Sequence, residues 1–190
     1  VSVFSQPTLV VSTLRYEYPS YTGYPSLEVE HTGDIRALEG TRVTLMAQAN
    51  KPIYQAHIDF EADGKHDLLM NSSNQRATVT FLLELEDDRR TPRYESYVLR
   101  YKTDEGRKNQ LPPKYQIDII PDYAPEIQLL IPEEAILDVT LNQEVNFEIE
   151  ARDPDFALSH VTLYGAVDGE PVVEETLLNE NHQGLFVGKL

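Results

Sequence analysis

The chain has 190 residues with 32 acidic against 16 basic, a formal net charge of −16 that repels nucleic-acid phosphates and anionic membrane surfaces and argues against both as partners of this segment. Hydrophobic residues make up 41% and charged residues 25%, a globular balance that argues against disorder despite the 12 prolines. There is no cysteine, which removes disulfide frameworks, zinc–thiolate sites and thiol nucleophiles.

From Val1 to Glu30 the chain is extended and tyrosine-rich, with Tyr16, Tyr18, Tyr21 and Tyr24 punctuated by Pro19, Gly23 and Pro25. Alternation predicts a strand with Leu14, Tyr16 and Tyr18 on one face, followed by a turn at Tyr21–Pro25. Four close tyrosines suit either a sugar-stacking platform or the cover of a sheet edge. No apolar run approaches the roughly 20 residues of a membrane-spanning helix, and the opening VSVFSQPTLVV lacks the basic and long apolar regions of a signal peptide. Any export signal or anchor is expected outside this segment.

A strand is predicted over Thr41–Ala49, closed by Asn50-Lys51-Pro52 because proline cannot donate to a central ladder. Gln55–Glu61 follows with Ala56, Ile58 and Phe60 inward, which sends His57, Asp59 and Glu61 toward solvent. Asp63-Gly64 signals a type I′ hairpin turn, as does Asp168-Gly169 at the corresponding place later in the chain. A short strand is expected over Asp67–Met70. Arg76–Leu85 is the clearest period-two run, with Ala77, Val79, Phe81, Leu83 and Leu85 on one face. After a charged loop, Glu86–Arg93, come Tyr94–Lys102 and Tyr115–Ile120, the seventh strand by residue 120 and enough for one sandwich.

Pro121-Asp122-Tyr123-Ala124-Pro125 reads as a short stiff linker, residues 122–125, between a first unit (1–121) and a second (126–190). Glu39–Phe60 returns as Asn142–Leu163: Val43, Leu45, Ala47 and Ala49 correspond to Val145, Phe147, Ile149 and Ala151, and Ile58 and Phe60 to Val161 and Leu163. The final stretch, Gly184–Leu190, aligns with Arg76–Leu85, and nothing follows that matches the first unit's last two strands. The second sandwich is therefore expected to be incomplete, either truncated or completed by a partner chain, because a half sandwich exposes core and an open edge.

The segments YPSYTGYP, GDIRALEGTRVTLMAQANKP, YVLRYKTDEG, PPKYQIDIIPDYAPEIQLLIP and EARDPDFALSHVTLYG resemble the immunoglobulin-like repeats of large membrane-anchored envelope proteins of planctomycete and proteobacterial type. The resemblance spans nearly the whole chain. It implies an all-β fold of tandem immunoglobulin-like antiparallel β-sandwiches in the extracytoplasmic region of a bacterial protein, and it carries no active site to transfer.

The residues themselves offer little chemistry. There is no G-x-S-x-G elbow, no H-E-x-x-H spacing and no glycine-rich phosphate cradle. Ser159 and His160 are neighbours, but alternation along a strand turns them to opposite faces. His57 and Asp59 share a face with too few ligands for a metal. If the first unit is an up-and-down sandwich, its fifth-to-sixth loop and the end of its seventh strand meet the next unit. Asp87 and Asp88 beside Glu86, linker Asp122, and Asp153 and Asp155 would then form a junctional calcium site, similar to the arrangement in cadherins. Arg89, Arg90 and Arg93 in the same loop offer ordinary ion pairs instead.

These readings converge on a non-catalytic scaffold, spacer or protein-interaction segment with other protein domains or the rest of its own polypeptide as partners, and no cofactor unless calcium. A carbohydrate-binding module built on the four tyrosines, a calcium-stiffened adhesin-like array and an accessory domain of a larger enzyme are the alternatives.

Overall fold

The computed structural model describes residues 6–133, 136, 138, 140, 143–167, 169–183 and 185–189 and divides into two compact units, Val1–Pro121 and Asp122–Leu190. No α-helix occurs among the described residues.

The first unit comprises β1 (Leu9–Glu17), β2 (Leu27–Glu30), β3 (Ile35–Leu38), β4 (Arg42–Ala49), β5 (Ile53–Phe60), β6 (Leu68–Leu69), β7 (Asn71–Ser73), β8 (Arg76–Leu82), β9 (Ser96–Thr103) and β10 (Lys114–Ile120). They form two five-stranded sheets, ordered β2-β1-β4-β8-β7 and β3-β10-β9-β5-β6. The connections β4–β5 and β8–β9 cross between sheets, so the unit is not the up-and-down sandwich expected from the sequence. Every pair is antiparallel except β3 on β10. Alternation does what period two requires: Leu14 and Tyr16, Val43, Leu45 and Ala47, Ala77 and Val79, Leu99 and Tyr101, and Ile117 and Ile119 fill the space between the sheets.

Sequence reading missed β2, β3 and β7, each no longer than four residues and none strongly alternating. It also misplaced a turn. The consecutive left-handed residues after β5 are Glu61 (φ 57°) and Ala62 (φ 56°), with Gly64 at 88°. Asp59 is a further correction. It points away from the core, as expected, yet is completely buried, because the β5–β6 loop folds over it and Arg100 of β9 pairs with it.

One contact fixes the parallel strand. Gly33, just before β3, lies so close under Tyr115 of β10 that a Cβ there would come 2.3 Å from the ring. Its carbonyl accepts the hydroxyl of buried Tyr97, whose ring lies 5.2 Å from that of Tyr115.

The second unit contains β11 (Glu126–Ile131), β12 (Glu148–Arg152), β13 (Leu158–Val167), β14 (Glu170–Gln183) and β15 (Leu185–Lys189). Its sheets are β11-β12-β15 and β13-β14. β12 lies between β11 and β15 as β4 lies between β1 and β8, so the repeated stretch occupies the same place in both units. The last strand aligns with β8 as expected. The strand predicted from Val145 starts later, at Glu148, with Val145 and Phe147 only half-buried. Asp168, Asn142, Gly184 and Leu190, named in the predicted turn and strands, lie outside the described residues, while Gly169 has the expected positive φ of 87°.

Among the described residues the second unit has fewer strands than the first. β5 is paired on one edge by β6 and on the other by β9, whereas β13 pairs with β14 alone among the described residues. Ile127 and Leu129 share the face of buried Ala151 and Ile149 through their ladder partners, yet are 68% and 48% exposed.

Two outcomes test this packing. Tyr97→Phe leaves the buried Gly33 carbonyl without its donor and is expected to cost about 1–3 kcal/mol in urea denaturation, and Gly33→Ala is expected to cost more. Burial also pushes the Tyr97 phenol well above its ordinary value. Its contribution is therefore complete below about pH 10, where the unfolded phenol ionises, and declines as pH rises beyond that. Stability measured across that range should fall more steeply in the parent than in Tyr97→Phe.

Candidate functional site

In β5 and β9, Gln55 lies opposite Lys102 and His57 opposite Arg100. Ala56, Ile58, Leu99 and Tyr101 take the core face, which leaves those four on the outer face of the sheet. The β5–β6 loop brings Gly64 and His66 over one side. Beyond β9, a turn through Gly106 (φ 82°) returns the chain so that Lys108 bridges to Lys102. Buried Asn109 clamps this return: its Nδ2 donates to the Leu99 carbonyl at 2.7 Å and its Oδ1 accepts the Tyr101 N–H at 3.0 Å. The result is a cavity of about 480 Å³ whose cationic and imidazole lining is His57, His66, Arg100, Lys102 and Lys108.

The floor of this cavity is electrostatically ordered. Arg100 Nε donates to Asp59 Oδ2 at 2.9 Å, and Asp59 Oδ1 accepts the Gly64 N–H at 3.1 Å. One buried carboxylate thus holds both the guanidinium and the overlying loop. The His57 and His66 rings stack with centroids 3.8 Å apart. Burial first, and then the neighbouring His66, pushes His57 below the ordinary imidazole value, with Asp59 and Asp67 opposing and Arg100 adding to the depression.

Asp59, Asp63 and Asp67 bring carboxylate oxygens within 4.8 Å of one another. Their partners are already in place: Asp59 holds Arg100, Asp63 pairs with Lys65, and Asp67 Oδ2 accepts the Phe60 N–H at 2.8 Å.

The acidic residues singled out by sequence fall in both units. In the β8–β9 loop, Asp88 caps its own turn. The Thr91 hydroxyl, the Thr91 N–H and the Arg90 N–H, in that order, pull its carboxyl down to about 2. Arg89 of this loop pairs with Glu39 at 2.6 Å, and the Glu39 N–H donates to Ile120 at the end of β10. That loop and the end of β10 therefore share one end of the unit, as expected, and Glu86 and Asp87 lie in the same loop. In the second unit Asp153 Oδ1 accepts the N–H groups of Asp155 and Phe156, and Asp155 Oδ2 accepts the N–H of Tyr123, beside Asp122. The Asp153 carboxylate serves turn geometry, whereas that of Asp155 ties this turn to the segment before β11.

The four tyrosines do not share a surface. Tyr16 is a core residue, Tyr18 is half-buried, and Tyr21 and Tyr24 are exposed. The Tyr18 and Tyr24 rings meet edge-on at 84°, because Tyr16 and Tyr18 belong to the strand's inner face while Tyr24 follows the turn. Ser159 and His160 depart from the expected opposition: a β-bulge at Leu158/His160 brings Ser159 Oγ 3.0 Å from His160 Nδ1 on an exposed surface.

The basic cavity escaped sequence reading. Its signal was present as outward basic or imidazole positions in two alternating strands, but only the long-range pairing of β5 with β9 sets them side by side.

No protein-family model and no curated protein matches the chain. Among solved structures, the human OSCAR ligand-binding domain is similar at 14% identity and a TM-score of 0.38, covering 100% of this chain and 84% of that one. The fibronectin(III)-like modules of Clostridium thermocellum CbhA are similar at 16% identity and a TM-score of 0.28, covering 84% of this chain and 75% of that chain. Likenesses this distant carry no argument, and the sandwich assignment rests on the chain's own ladders.

The Asp59–Arg100 pair makes an asymmetric prediction. Arg100→Met strands a fully buried carboxylate and is expected to cost about 3–5 kcal/mol. Asp59→Asn leaves a guanidinium that is 33% exposed and is expected to cost less, about 1.5–3 kcal/mol. Urea denaturation of the two variants checks the order; the reverse order would remove the assigned geometry.

Proposed function

We propose that this chain is a non-catalytic scaffold or spacer segment of a larger envelope protein, working outside the cytoplasm and engaging other protein through its second unit. The observation that carries the reading is the recurrence of β1-β4-β8 as β11-β12-β15 around a repeated stretch of sequence. Repetition of a sandwich serves extension and presentation, and demands no reaction.

The engaging surface has a physical basis. An unpaired strand edge recruits another strand through main-chain hydrogen bonds, and apolar positions beside it supply specificity. β13 offers the edge, and Ile127 and Leu129 offer the apolar positions. The occupant is a further stretch of the same polypeptide or a second protein that adds a strand at this edge. The sugar-platform reading has less support, since one of its four rings belongs to the core and two others meet edge-on.

Hydrogen exchange tests the reading. The β13 amides on the unpaired edge are expected to exchange fast in residues 1–190 alone and at least about a hundredfold slower in the full-length parent protein. Equal rates in both overturn docking at this edge. A lysine reagent that cannot cross membranes should label the segment on spheroplasts of the producing cell; labelling only after lysis overturns the extracytoplasmic placement.

A further inference from the structure

We propose that the cavity on the outer face of β5 and β9 is a receptor for a compact oxyanion, the phosphate or sulfate group of a small molecule, and that it binds more tightly at lower pH, as His57 protonates. The site is independent of the second unit's open edge and extends the scaffold reading to a ligand-binding role.

Charge placement is the first argument. In a chain of net charge −16, Arg100, Lys102, Lys108 and two imidazoles line one concavity, with the buried Asp59 carboxylate beneath Arg100 in its floor. Lys102 and Lys108 are neighbours across a bridge. No carboxylate lies within ion-pair distance of either among the described residues, and the Lys102 ammonium has only the face of Tyr54, 5.7 Å away. Like charges held directly opposite are destabilising, and an anion between them removes that cost. Arg100 spends its Nε on Asp59. Its terminal nitrogens then remain as oriented donors, the fork that suits an oxyanion.

The imidazole pair supplies the pH dependence. The groups around it are Asp59 on β5, Arg100 and Lys102 on β9, Asp63, Lys65 and Asp67 in the β5–β6 loop, and Lys108 beyond β9. Asp59 is matched by Arg100 and Asp63 by Lys65, which leaves Lys102 and Lys108 against Asp67. Burial and the stacked His66 ring oppose protonation of His57 in the empty cavity. An anion offsets this, so binding and proton uptake reinforce each other. The volume of about 480 Å³ exceeds one oxyanion and leaves room for a sugar-sized carrier.

Inorganic sulfate is the probe for pH dependence, because its charge stays constant between about pH 5.5 and about pH 8 while imidazole titrates. In NMR titrations of the full chain, sulfate is expected to produce saturable shifts of the His57 and His66 ring signals that chloride at equal ionic strength does not. Its Kd should be about tenfold or more lower at the acid end, the equivalent of one unit of induced pKa change. Lys102→Gln with Lys108→Gln should weaken binding at both pH values, and Lys108→Gln alone serves if the pair fails to fold. His57→Gln with His66→Gln should abolish the pH dependence and retain the affinity measured at the alkaline end.

Glucose 6-phosphate and glucose 6-sulfate separate the sources. Tighter binding of either ester than of inorganic phosphate or sulfate identifies an organic carrier, and equal affinity identifies the free ion. Shifts reproduced by chloride, a Kd independent of pH, or binding indifferent to the lysine substitutions each overturn the proposal.

Discussion

The first sandwich depends on a buried meeting of three residues from three places in the chain. Gly33 has no side chain, so the Tyr115 ring can lie directly on its backbone, and Tyr97 then reaches its carbonyl with a hydroxyl. Tyr97 and Tyr115 are direct ladder partners on β9 and β10. The contact therefore draws the segment before β3 onto the sheet edge and sets the one parallel pairing among the unit's described residues. The Tyr115 hydroxyl also accepts the Val11 N–H of β1 at 3.4 Å, which ties this sheet to the opposite one. A buried carbonyl needs a donor, and here satisfying it fixes topology as well as energy.

A second buried polar contact performs the same service for the outer face. Asp59 lies where a strand would ordinarily meet water, but the loop after β5 closes over it and Arg100 compensates its charge. The pair orients the guanidinium toward the cavity and holds Gly64, and with it His66, above His57. Stability and the chemical character of the cavity thus share one ion pair. A buried charge left alone is costly, so the loop, the cation and the shape of the cavity are coupled.

The second unit repeats the local pattern of the first. β12 finds its neighbours in the order that β4 does, since alternation and turn positions near it are repeated. Ile127 and Leu129 nonetheless stand exposed on the core-side face, where a full opposing sheet would cover them.

By itself the sequence determined the all-β class, the repeat, the long strands of the first unit and most of its core. Leu14, Val43, Leu45, Ile58, Val79, Leu99 and Ile117 recur at period two, and a strand with one face buried has only one register that suits them. It did not determine β2, β3 and β7, whose short runs form only because a neighbouring strand presents an edge. Nor did it determine the burial of Asp59, the closeness of Ser159 to His160, or the unequal exposure of the four tyrosines, since a covering loop, a bulge and a turn break simple alternation. The basic cavity belongs wholly to tertiary structure. His57 and Arg100 are 43 residues apart in the chain, and only the ladder between β5 and β9 makes them neighbours, because pairing between distant strands is decided by the packing of the whole sheet.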